Sequence, residues 1–253
     1  VVTKQHRLSS EQTQELNRWI TEIHELGLID VSTSPYSSAV LVLKKPKGGY
    51  RIVHDYRQIN AKTIIPQYPV PRREDIIDSM SGSYWFSSMD LLSGYYQLKL
   101  REEDRHITAF STPTGHFEYQ VTPQGLSGAP ASFNRYIQSI LKDIDDCKGY
   151  FDDIYVHTKS KDKDDHILAV EKVLKRFEEE HLRIKLSKCV FLQEEIPVLG
   201  DFVGRNGVRM DPAKIAIIRD WPEPRTKRQL KSFIGTIVYN ARFCKDYGRL
   251  AGP

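Results

Sequence analysis

The chain has 253 residues, of which 40% are hydrophobic and 28% are charged, and its formal net charge is +4. This length allows one large domain or two or three small ones, and the composition is ordinary for a globular protein in water. No apolar run approaches the roughly 20 residues that a membrane-spanning helix needs, and no basic-then-apolar start resembles a signal peptide. Because the chain opens on Val1 and stops on Pro253, we expect a piece of a longer product.

Three cysteines, Cys147, Cys189 and Cys244, are spread widely along the chain. Such spacing does not suggest a zinc site, and three cysteines are too few for a disulfide framework. We therefore expect reduced thiols in an intracellular protein. The small excess of positive charge is compatible with phosphate binding but is too small to indicate a nucleic-acid partner by itself.

The first hundred residues predict a helix, a hairpin, a second short helix and a buried strand. Ser9 and Gln12 have the spacing of a capping box, apolar residues then recur at helical spacing, and Gly27 ends the helix. Turn-forming residues 46–49 separate two apolar runs and predict a hairpin. The predicted strands cover residues 39–43, 50–53 and 84–92, and the second helix runs from Pro71 to about Met80.

The middle of the chain predicts a second hairpin and two longer helices. Residues 95–100 alternate in polarity or turn away from the preceding strand, and residues 113–115 form the turn of the hairpin. Pro130 stands near the start of a helix that carries Phe133, Ile137, Ile140, Leu141 and Ile144. A helix over residues 164–180 has one apolar face, formed by Ile167, Val170, Val173, Leu174 and Phe177.

The last part of the chain changes from short strands to helices. The predicted strands lie around residues 183–186, 190–192 and 198–203. Asp211 precedes one helix, residues 221–224 break it, and Thr226 caps a second helix. We expect a small helical unit after an α+β body, with a boundary near residue 207.

The central chemical feature is a pair of adjacent carboxylates, Asp152 and Asp153, between strand-forming residues. Asp disfavours strands, and adjacent anions repel each other. A tight hairpin turn would expose both carboxylates, and a bound divalent cation would neutralise their charges. Taken alone, the two residues are equally compatible with an ordinary surface turn.

A third carboxylate, Asp90, stands at the end of the predicted strand 84–92. Two strands separated by a hairpin and a helix can lie side by side, so Asp90 is expected to face the Asp152 and Asp153 turn; the alternative is a solvated strand end. Three carboxylates suit Mg²⁺, which prefers oxygen ligands. Two such ions can clamp the attacking and leaving oxygens of an in-line phosphoryl displacement.

Two further segments have features of a phosphate-binding site. Basic residues gather on the first hairpin, where they would hold a triphosphate or form a solvated basic loop; they are Lys44, Lys45, Lys47 and Arg51. Residues 123–130 contain small residues that open a helix, where backbone can approach a ligand closely. An ordinary loop-to-helix cap is the alternative for that segment.

An ordered set of short motifs runs from about Glu22 to the C-terminus. They lie at residues 34–38, 50–60, 68–72, 90–97, 108–110, 125–133, 150–153, 186–189, 199–200 and 220–224. In this order they resemble the reverse transcriptases of gypsy-class long-terminal-repeat retrotransposons and, more distantly, those of retroviruses. Each motif alone is weak, but the ordered set is specific.

The resemblance implies an α+β fold, a right-hand polymerase with fingers, an antiparallel-sheet palm and a small helical thumb. Fingers would cover residues 1–83 and 106–144, palm residues 84–105 and 145–207, and thumb residues 208–253. The implied activity is that of an RNA-directed DNA polymerase, a nucleotidyltransferase that extends a primer with dNTPs on an RNA or DNA template by two-metal phosphoryl transfer.

The same resemblance implies two Mg²⁺ ions, with Mn²⁺ as an alternative, and no membrane partner. RNase H and integrase regions of a parent polyprotein would accompany the chain. The expected location is the cytoplasm, in a virus-like particle, or the nucleus.

By position, Asp90, Asp152 and Asp153 match the family's metal ligands and catalytic residues. Substrate-binding positions match Lys44, Lys45, Arg51, Tyr95, Gln124, Tyr150 and Phe151. In the family, the residue at Arg51 grips the triphosphate, with Lys44 or Lys45 assisting, and the residue at Gln124 contacts the nucleotide and template. The ring at Tyr95 would be a steric gate that excludes a 2′-hydroxyl. Either Lys185 or Lys188 would be the general acid that protonates pyrophosphate, and the sequence does not distinguish between these two lysines.

Three positions depart from the family pattern. Lys148 stands where apolar strand residues are usual, and Asp201 stands where His is usual in the hairpin that grips the primer. Gln124 is closer to the retroviral form. A decayed relative that binds nucleic acid or a partner without catalysis is therefore an alternative function. Another two-metal enzyme with a related palm, such as a nucleotide cyclase, is a third.

Overall fold

The computed structural model describes residues 2–46, 48–65 and 68–252. Lys47 of the basic hairpin lies outside the described residues. The helices are α1 (Ser10–Glu25), α2 (Arg57–Asn60), α3 (Arg73–Met80), α4 (Glu102–Arg105), α5 (Ala129–Leu141), α6 (Lys163–Glu179), α7 (Pro212–Arg219), α8 (Lys227–Tyr239) and α9 (Tyr247–Ala251).

The strands come mostly in runs between these helices and pair antiparallel in each sheet, which is an α+β arrangement. They are β1 (Ile29–Val31), β2 (Val40–Lys44), β3 (Tyr50–His54), β4 (Trp85–Asp90), β5 (Phe110–Thr112), β6 (Gly115–Tyr119), β7 (Cys147–Tyr150), β8 (Asp153–Thr158), β9 (Val190–Gln193), β10 (Glu195–Val198), β11 (Asp201–Gly204) and β12 (Gly207–Met210). No helix within the described ranges is long and apolar enough to cross a membrane.

The central sheet is antiparallel and has the strand order β7-β8-β4-β9. Successive side chains of a strand face opposite sides of the sheet, and β8 shows this alternation. Ile154 and Val156 pack on the side covered by α5 and α6, whereas Tyr155 packs on the other side against α3 and the β10–β11 hairpin. The sheet is therefore covered on both faces, which holds its strand ends in fixed positions.

A second body surrounds α1 and the N-terminal strands. The three-stranded sheet β1-β6-β5 and the β2–β3 hairpin contribute to its core. The capping box predicted for α1 is confirmed, because Ser9 and Gln12 exchange side-chain and backbone hydrogen bonds. The core of this N-terminal body contains Leu16, Ile20, Ile23, Ile29, Val40, Val42, Phe110, Phe117, Tyr119 and Val121.

The C-terminal part begins with the three-stranded sheet β10-β11-β12 and continues into α7 and α8. The expected boundary near residue 207 falls at the start of β12, which pairs with β11 along its whole length. The helical unit therefore starts after Met210. Thr226 caps α8 with a capping box that it shares with Gln229, so the predicted cap is confirmed.

Several predicted elements differ from those observed because tertiary contacts outweigh local pattern. Of the two alternatives for residues 95–100, the structure shows the turn away from β4, because a 3-10 helix, Gly94–Gln97, follows that strand. The predicted strand at 198–203 is interrupted by the hairpin turn between β10 and β11, with positive φ at Leu199 (49°) and Gly200 (86°). Of the predicted strand at 183–186, only Ile184 pairs, in an isolated bridge to Leu91.

The buried face of α6 also differs from the predicted one. His166 is buried, whereas Ile167 is 44% exposed. His166 is accommodated because its two ring nitrogens hydrogen-bond to Ser87 Oγ at 2.7 Å and Thr158 Oγ1 at 2.9 Å. The helix is thus rotated toward a polar residue whose hydrogen-bonding partners lie in β4 and β8, which apolar periodicity cannot reveal.

Candidate active site

The paired aspartates stand at the tight hairpin between β7 and β8. Tyr150 and Asp153 are register partners, so Phe151 and Asp152 form the two-residue turn. Phe151 has a φ of 52°, a left-handed value that such a turn requires. The backbone N–H of Leu91 donates to the Asp152 carbonyl oxygen at 3.1 Å, which ties the turn to the end of β4.

Asp90 lies directly across the sheet from this turn. It is the last residue of β4, and Asp153, the first residue of β8, is its register partner. Residues directly opposite in an antiparallel pair have Cα atoms about 4.5–5.5 Å apart. The register of the sheet therefore places Asp90 beside Asp152 and Asp153, as the sequence predicted.

The environment of these carboxylates opposes their ionisation. Burial raises the pKa of Asp152 and of Asp153, the charge of Asp90 raises both further, and Lys188 acts in the opposite direction. Oδ1 of Asp152 is buried, and no described residue hydrogen-bonds to it. An unpartnered carboxylate oxygen beside two other carboxylates indicates that the negative charge of the site is only partly compensated.

One lysine already contributes positive charge to this site. Lys188 Nζ lies 2.9 Å from Asp90 Oδ2, and this hydrogen bond is the largest cause of the raised pKa of Lys188. Lys185 contacts Asp90 only through its backbone N–H, which donates to the Asp90 carbonyl oxygen at 2.8 Å. The structure therefore brings the ammonium group of Lys188 to the carboxylates.

The carboxylate oxygens of Asp90, Asp152 and Asp153 are ligands that a hard divalent cation prefers, and one of them, Oδ1 of Asp152, has no hydrogen-bonding partner among the described residues. As the side chains stand, no three His, Cys, Asp or Glu residues within residues 2–46, 48–65 and 68–252 form a complete metal site. One Asp90 oxygen is instead paired with Lys188. The residues thus suit the ion in chemistry, and Asp90, Asp152 and Asp153 are the residues that would hold it.

Gly94 touches the same site from the segment that follows β4. A Cβ atom at Gly94 would lie 2.9 Å from Cγ of Asp152 and 3.0 Å from Cζ of Phe133. The left-handed backbone of this segment is at Ser93, with a φ of 50°, and not at the glycine. The glycine at position 94 is therefore explained by its close packing against Asp152 and Phe133, and not by a left-handed backbone.

The aromatic residues after Gly94 face different surroundings. Tyr95 packs edge-on against Phe133, with ring centroids 5.4 Å apart, and the charge of Asp152 together with burial raises its pKa, burial being the larger cause. Tyr96 packs against Tyr119 in the N-terminal core, at 6.0 Å between centroids. Tyr95, and not Tyr96, is the ring close to the carboxylates.

A cavity of about 230 Å³ brings Arg51 and Gln124 together. Its other lining residues are Ile52, Val53, His54, Tyr96 and Gly125. Lys44 and Lys45 do not line this cavity; both are exposed at the far end of the β2–β3 hairpin. Tyr96 joins the cavity to the segment that carries Tyr95.

Tyr150 and Phe151 stand immediately before the Asp152 carboxylate. Their rings are nearly perpendicular, with centroids 4.9 Å apart. Tyr150 also packs against the core formed by α3 and the β10–β11 hairpin. Phe151 is half-buried in the turn itself. Both residues therefore border the carboxylate cluster.

Two residues that hold this region in place were not singled out from the sequence. Asn60 accepts from the Ser127 N–H at 2.8 Å and donates to the Gly125 carbonyl at 2.9 Å, which fixes the loop after Gln124. Gln97 donates to the carbonyls of Leu92 and Arg183 and accepts from the Arg183 N–H. Both lie inside recognised motifs, which is the signal that could have identified them.

Comparison with known proteins identifies the family. The model of the family described as reverse transcriptase (RNA-dependent DNA polymerase) matches residues 42–202, which is more than half of the chain. The retrovirus-related Pol polyproteins of the Drosophila melanogaster transposons 297 and gypsy are 34% and 33% identical to the chain over 100% and 94% of its length. The chain spans 24% of each of these polyproteins.

A solved structure shows the same fold. The foamy viral protease-reverse transcriptase dRH in complex with double-stranded DNA superposes with a TM-score of 0.87, at 24% identity, over 98% of this chain and 43% of that one. The α+β polymerase fold is thereby confirmed, and so is the resemblance to gypsy-class retrotransposon enzymes. The chain belongs to the reverse transcriptase (RNA-dependent DNA polymerase) family.

Proposed function

We propose that this chain is the polymerase part of a retrotransposon polyprotein and that it extends a primer with dNTPs on an RNA or DNA template. The observation that carries the proposal is the register pairing of Asp90 with Asp153 beside the Asp152 turn. That pairing assembles three carboxylates at one sheet end, in surroundings that raise the pKa of two of them. Such an accumulation of negative charge is useful to a protein that binds cations there.

Asp90, Asp152 and Asp153 would hold two Mg²⁺ ions, or Mn²⁺. When bound, these ions would activate the primer 3′-hydroxyl and neutralise charge on the leaving pyrophosphate. The three carboxylates contribute position and charge, which is most of what phosphoryl transfer demands of a protein. Gly94 leaves room for the Asp152 carboxylate, because a Cβ atom at this position would lie 2.9 Å from Cγ of Asp152.

Lys188 is the residue we assign as the general acid for pyrophosphate. Its Nζ lies within the carboxylate cluster, whereas Lys185 contacts Asp90 only by its backbone. The Lys188 ammonium carries the proton that this role requires, and its position beside Asp90 is what supports the assignment. Before substrate binds, the same ammonium partly compensates the negative charge of Asp90.

The nucleotide would lie between the carboxylates and the cavity that Arg51 and Gln124 line. Arg51 would pair with the triphosphate through its guanidinium group, which suits phosphate geometry, and Lys44 or Lys45 would add positive charge. Tyr95, whose ring packs against Phe133 and is influenced by the charge of Asp152, would exclude a 2′-hydroxyl. Tyr150 and Phe151 would border the primer end of the same space.

The domain assignment follows from this arrangement. We assign the palm to the central sheet, the fingers to the body around α1 together with α5, and the thumb to the helices after Met210. Primed template would lie across the three parts, and RNase H and integrase would be other regions of the parent polyprotein.

The test is primer extension on a primed RNA template with magnesium and dNTPs. The chain is expected to extend the primer, and Asp152→Asn is expected to abolish synthesis while retaining primer–template binding. Asp145→Asn, an exposed aspartate outside the cluster, is the matched control and should extend normally. Binding without extension by the unaltered chain would favour a non-catalytic binder, and normal extension by Asp152→Asn would overturn the metal-ligand assignment.

A further inference from the structure

A buried carboxylate away from the active site is surrounded by three cations. Asp201, the first residue of β11, is only 1% exposed. Its Oδ2 atom accepts hydrogen bonds from the guanidinium groups of Arg73 and Arg242, and its Oδ1 atom accepts one from Lys214 Nζ at 3.3 Å. Burying a lone carboxylate is costly, so the three cations compensate the desolvation of Asp201.

The three cations come from separate parts of the chain. Arg73 is the first residue of α3, which packs on the central sheet. Lys214 belongs to α7, and Arg242 lies just after α8. One carboxylate therefore joins α3 and β11 to α7 and to the end of α8, which we call the C-terminal helices. Asp201 and Arg73 are more than 120 residues apart in sequence.

The C-terminal helices depend on polar contacts for their attachment. No side chain of α7 or α8, all of whose residues the structure describes, is buried. Tyr239, the last residue of α8, lies under two of the cations: its ring centroid is 5.3 Å from the Arg73 guanidinium and 5.8 Å from Lys214 Nζ. Because apolar burial is weak here, the Asp201 cluster has a large share in positioning these helices.

The Asp201 cluster is also connected to the central sheet, β7-β8-β4-β9, which we call the catalytic sheet because it carries Asp90 and Asp153. Tyr155 of β8 is two residues from Asp153, is 4% exposed, and packs in one core with Val198 and Val203 of the β10–β11 hairpin. Asp201 begins the second strand of that hairpin. A packed connection therefore runs from Asp153 through the hairpin to the cations of the C-terminal helices.

We propose that Asp201 is a positioning residue that fixes the C-terminal helices against the catalytic sheet and so keeps the polymerase on its primer–template between additions. This inference rests on the proposed polymerase function. Asp201 itself is too deeply buried to contact a substrate, so it acts through the helices. Its departure from the family's usual His has a physical explanation, because a carboxylate can accept from three cations whereas a neutral imidazole has one acceptor nitrogen.

Two variants and a control separate this role from general loss of the fold. Asp201→Asn removes the charge but keeps the shape of the side chain. Arg242→Gln removes one cation and leaves Asp201 paired with Arg73 and Lys214, so it should fold even if Asp201→Asn does not. Glu195→Gln is the matched control, because it breaks an exposed ion pair with Arg209 in the same sheet.

The first readout is hydrogen exchange in the protein alone. Amides of α8 should exchange at least about tenfold faster in Asp201→Asn, because removing one partner of a buried ion pair is strongly destabilising, while amides of β8 should stay protected. Arg242→Gln should give a smaller increase in the same helix, and Glu195→Gln none. Unchanged exchange of α8 in both Asp201→Asn and Arg242→Gln would overturn the positioning role.

The second readout is primer extension in the presence of a trap that captures released enzyme. Asp201→Asn, or Arg242→Gln if only that variant folds, should make shorter products and bind primer–template more weakly. The rate of a single addition at saturating primer–template should stay close to that of the unaltered chain. A parallel fall in single-addition rate and product length would contradict the proposal. An unaltered chain that does not extend at all would overturn the proposed function, while the exchange result would still decide whether Asp201 positions the helices.

Discussion

Gly94 and Asp152 approach each other so closely that no side chain can be accommodated between them. A Cβ atom at Gly94 would lie 2.9 Å from Cγ of Asp152, although the two residues are far apart in sequence. This contact links the segment after β4 to the β7–β8 turn, and the position of the Asp152 carboxylate depends on it.

Gly94→Ala is therefore expected to displace the Asp152 carboxylate and to lower DNA synthesis severely. Misplacing a catalytic group by about 1 Å can lower a rate on the order of 100-fold. Single-turnover extension at saturating dNTP is the measurement. Gly235→Ala is the control, because it lies in α8 with no atom within 4 Å of its would-be Cβ and should extend normally. Equal rates for the two variants would show that the contact does not position Asp152.

Asp152→Asn is expected to make the metal-free protein more stable at neutral pH. Burial and Asp90 raise the pKa of Asp152 in the folded protein above its ordinary value of 3.8. At pH values between 3.8 and this raised pKa, the folded state therefore holds more protons than the unfolded state. Stability then falls as the pH rises through that window, and the loss is complete above the folded pKa. Asp152→Asn has no ionisable carboxyl group at this position, so its stability should not fall in this way as the pH rises.

The melting temperature in chelator should therefore rise by about 1–3 °C at pH 7 in Asp152→Asn. The gain should shrink as the pH falls toward 3.8, because the native carboxyl takes up its proton at a higher pH than the unfolded one does. Added Mg²⁺ should stabilise the native protein more than the variant. An exposed substitution, Asp164→Asn, serves as the control, and a gain in Asp152→Asn that is equal at both pH values would contradict the electrostatic explanation.

Tyr95→Ala is expected to relax sugar selection, because the ring stands beside Asp152 and would exclude a 2′-hydroxyl. Pockets that reject a small added group commonly discriminate by about 10- to 200-fold, so the preference for dNTP over rNTP should fall at least that far. Incorporation efficiencies of matched dNTP and rNTP are the measurement. Tyr95→Phe retains the ring and its contact with Phe133 and should keep its selectivity. An unchanged ratio in an active Tyr95→Ala enzyme would remove Tyr95 as the gate.

Affinity for primer–template is expected to fall steeply as the salt concentration rises. Phosphate contacts release condensed counterions, and each contact adds about 0.9 to the slope of log affinity against log salt for duplex DNA. Affinity should vary little between unrelated sequences of one length, since a general copier needs no base-edge contacts. A shallow slope together with strong preference for one sequence would favour a non-catalytic binder.

The sequence alone determined the features that depend on neighbouring residues. The capping boxes at Ser9 and Thr226 and the two-residue turn at Phe151 and Asp152 arise from side chains and backbone within a few positions of each other. The ordered motifs identified the family and predicted the three aspartates as metal ligands, because residue types and their order are visible in the chain itself.

Tertiary structure decided the features that depend on partners distant in sequence. The rotation of α6 toward His166 required Ser87 and Thr158, and the contact between Lys188 and Asp90 on which our proposal for Lys188 rests required the folded sheet. The need for glycine at position 94 required the approach of Asp152. Local propensity carries no information on such contacts, because their free energy arises only when the packed sheet brings the partners together.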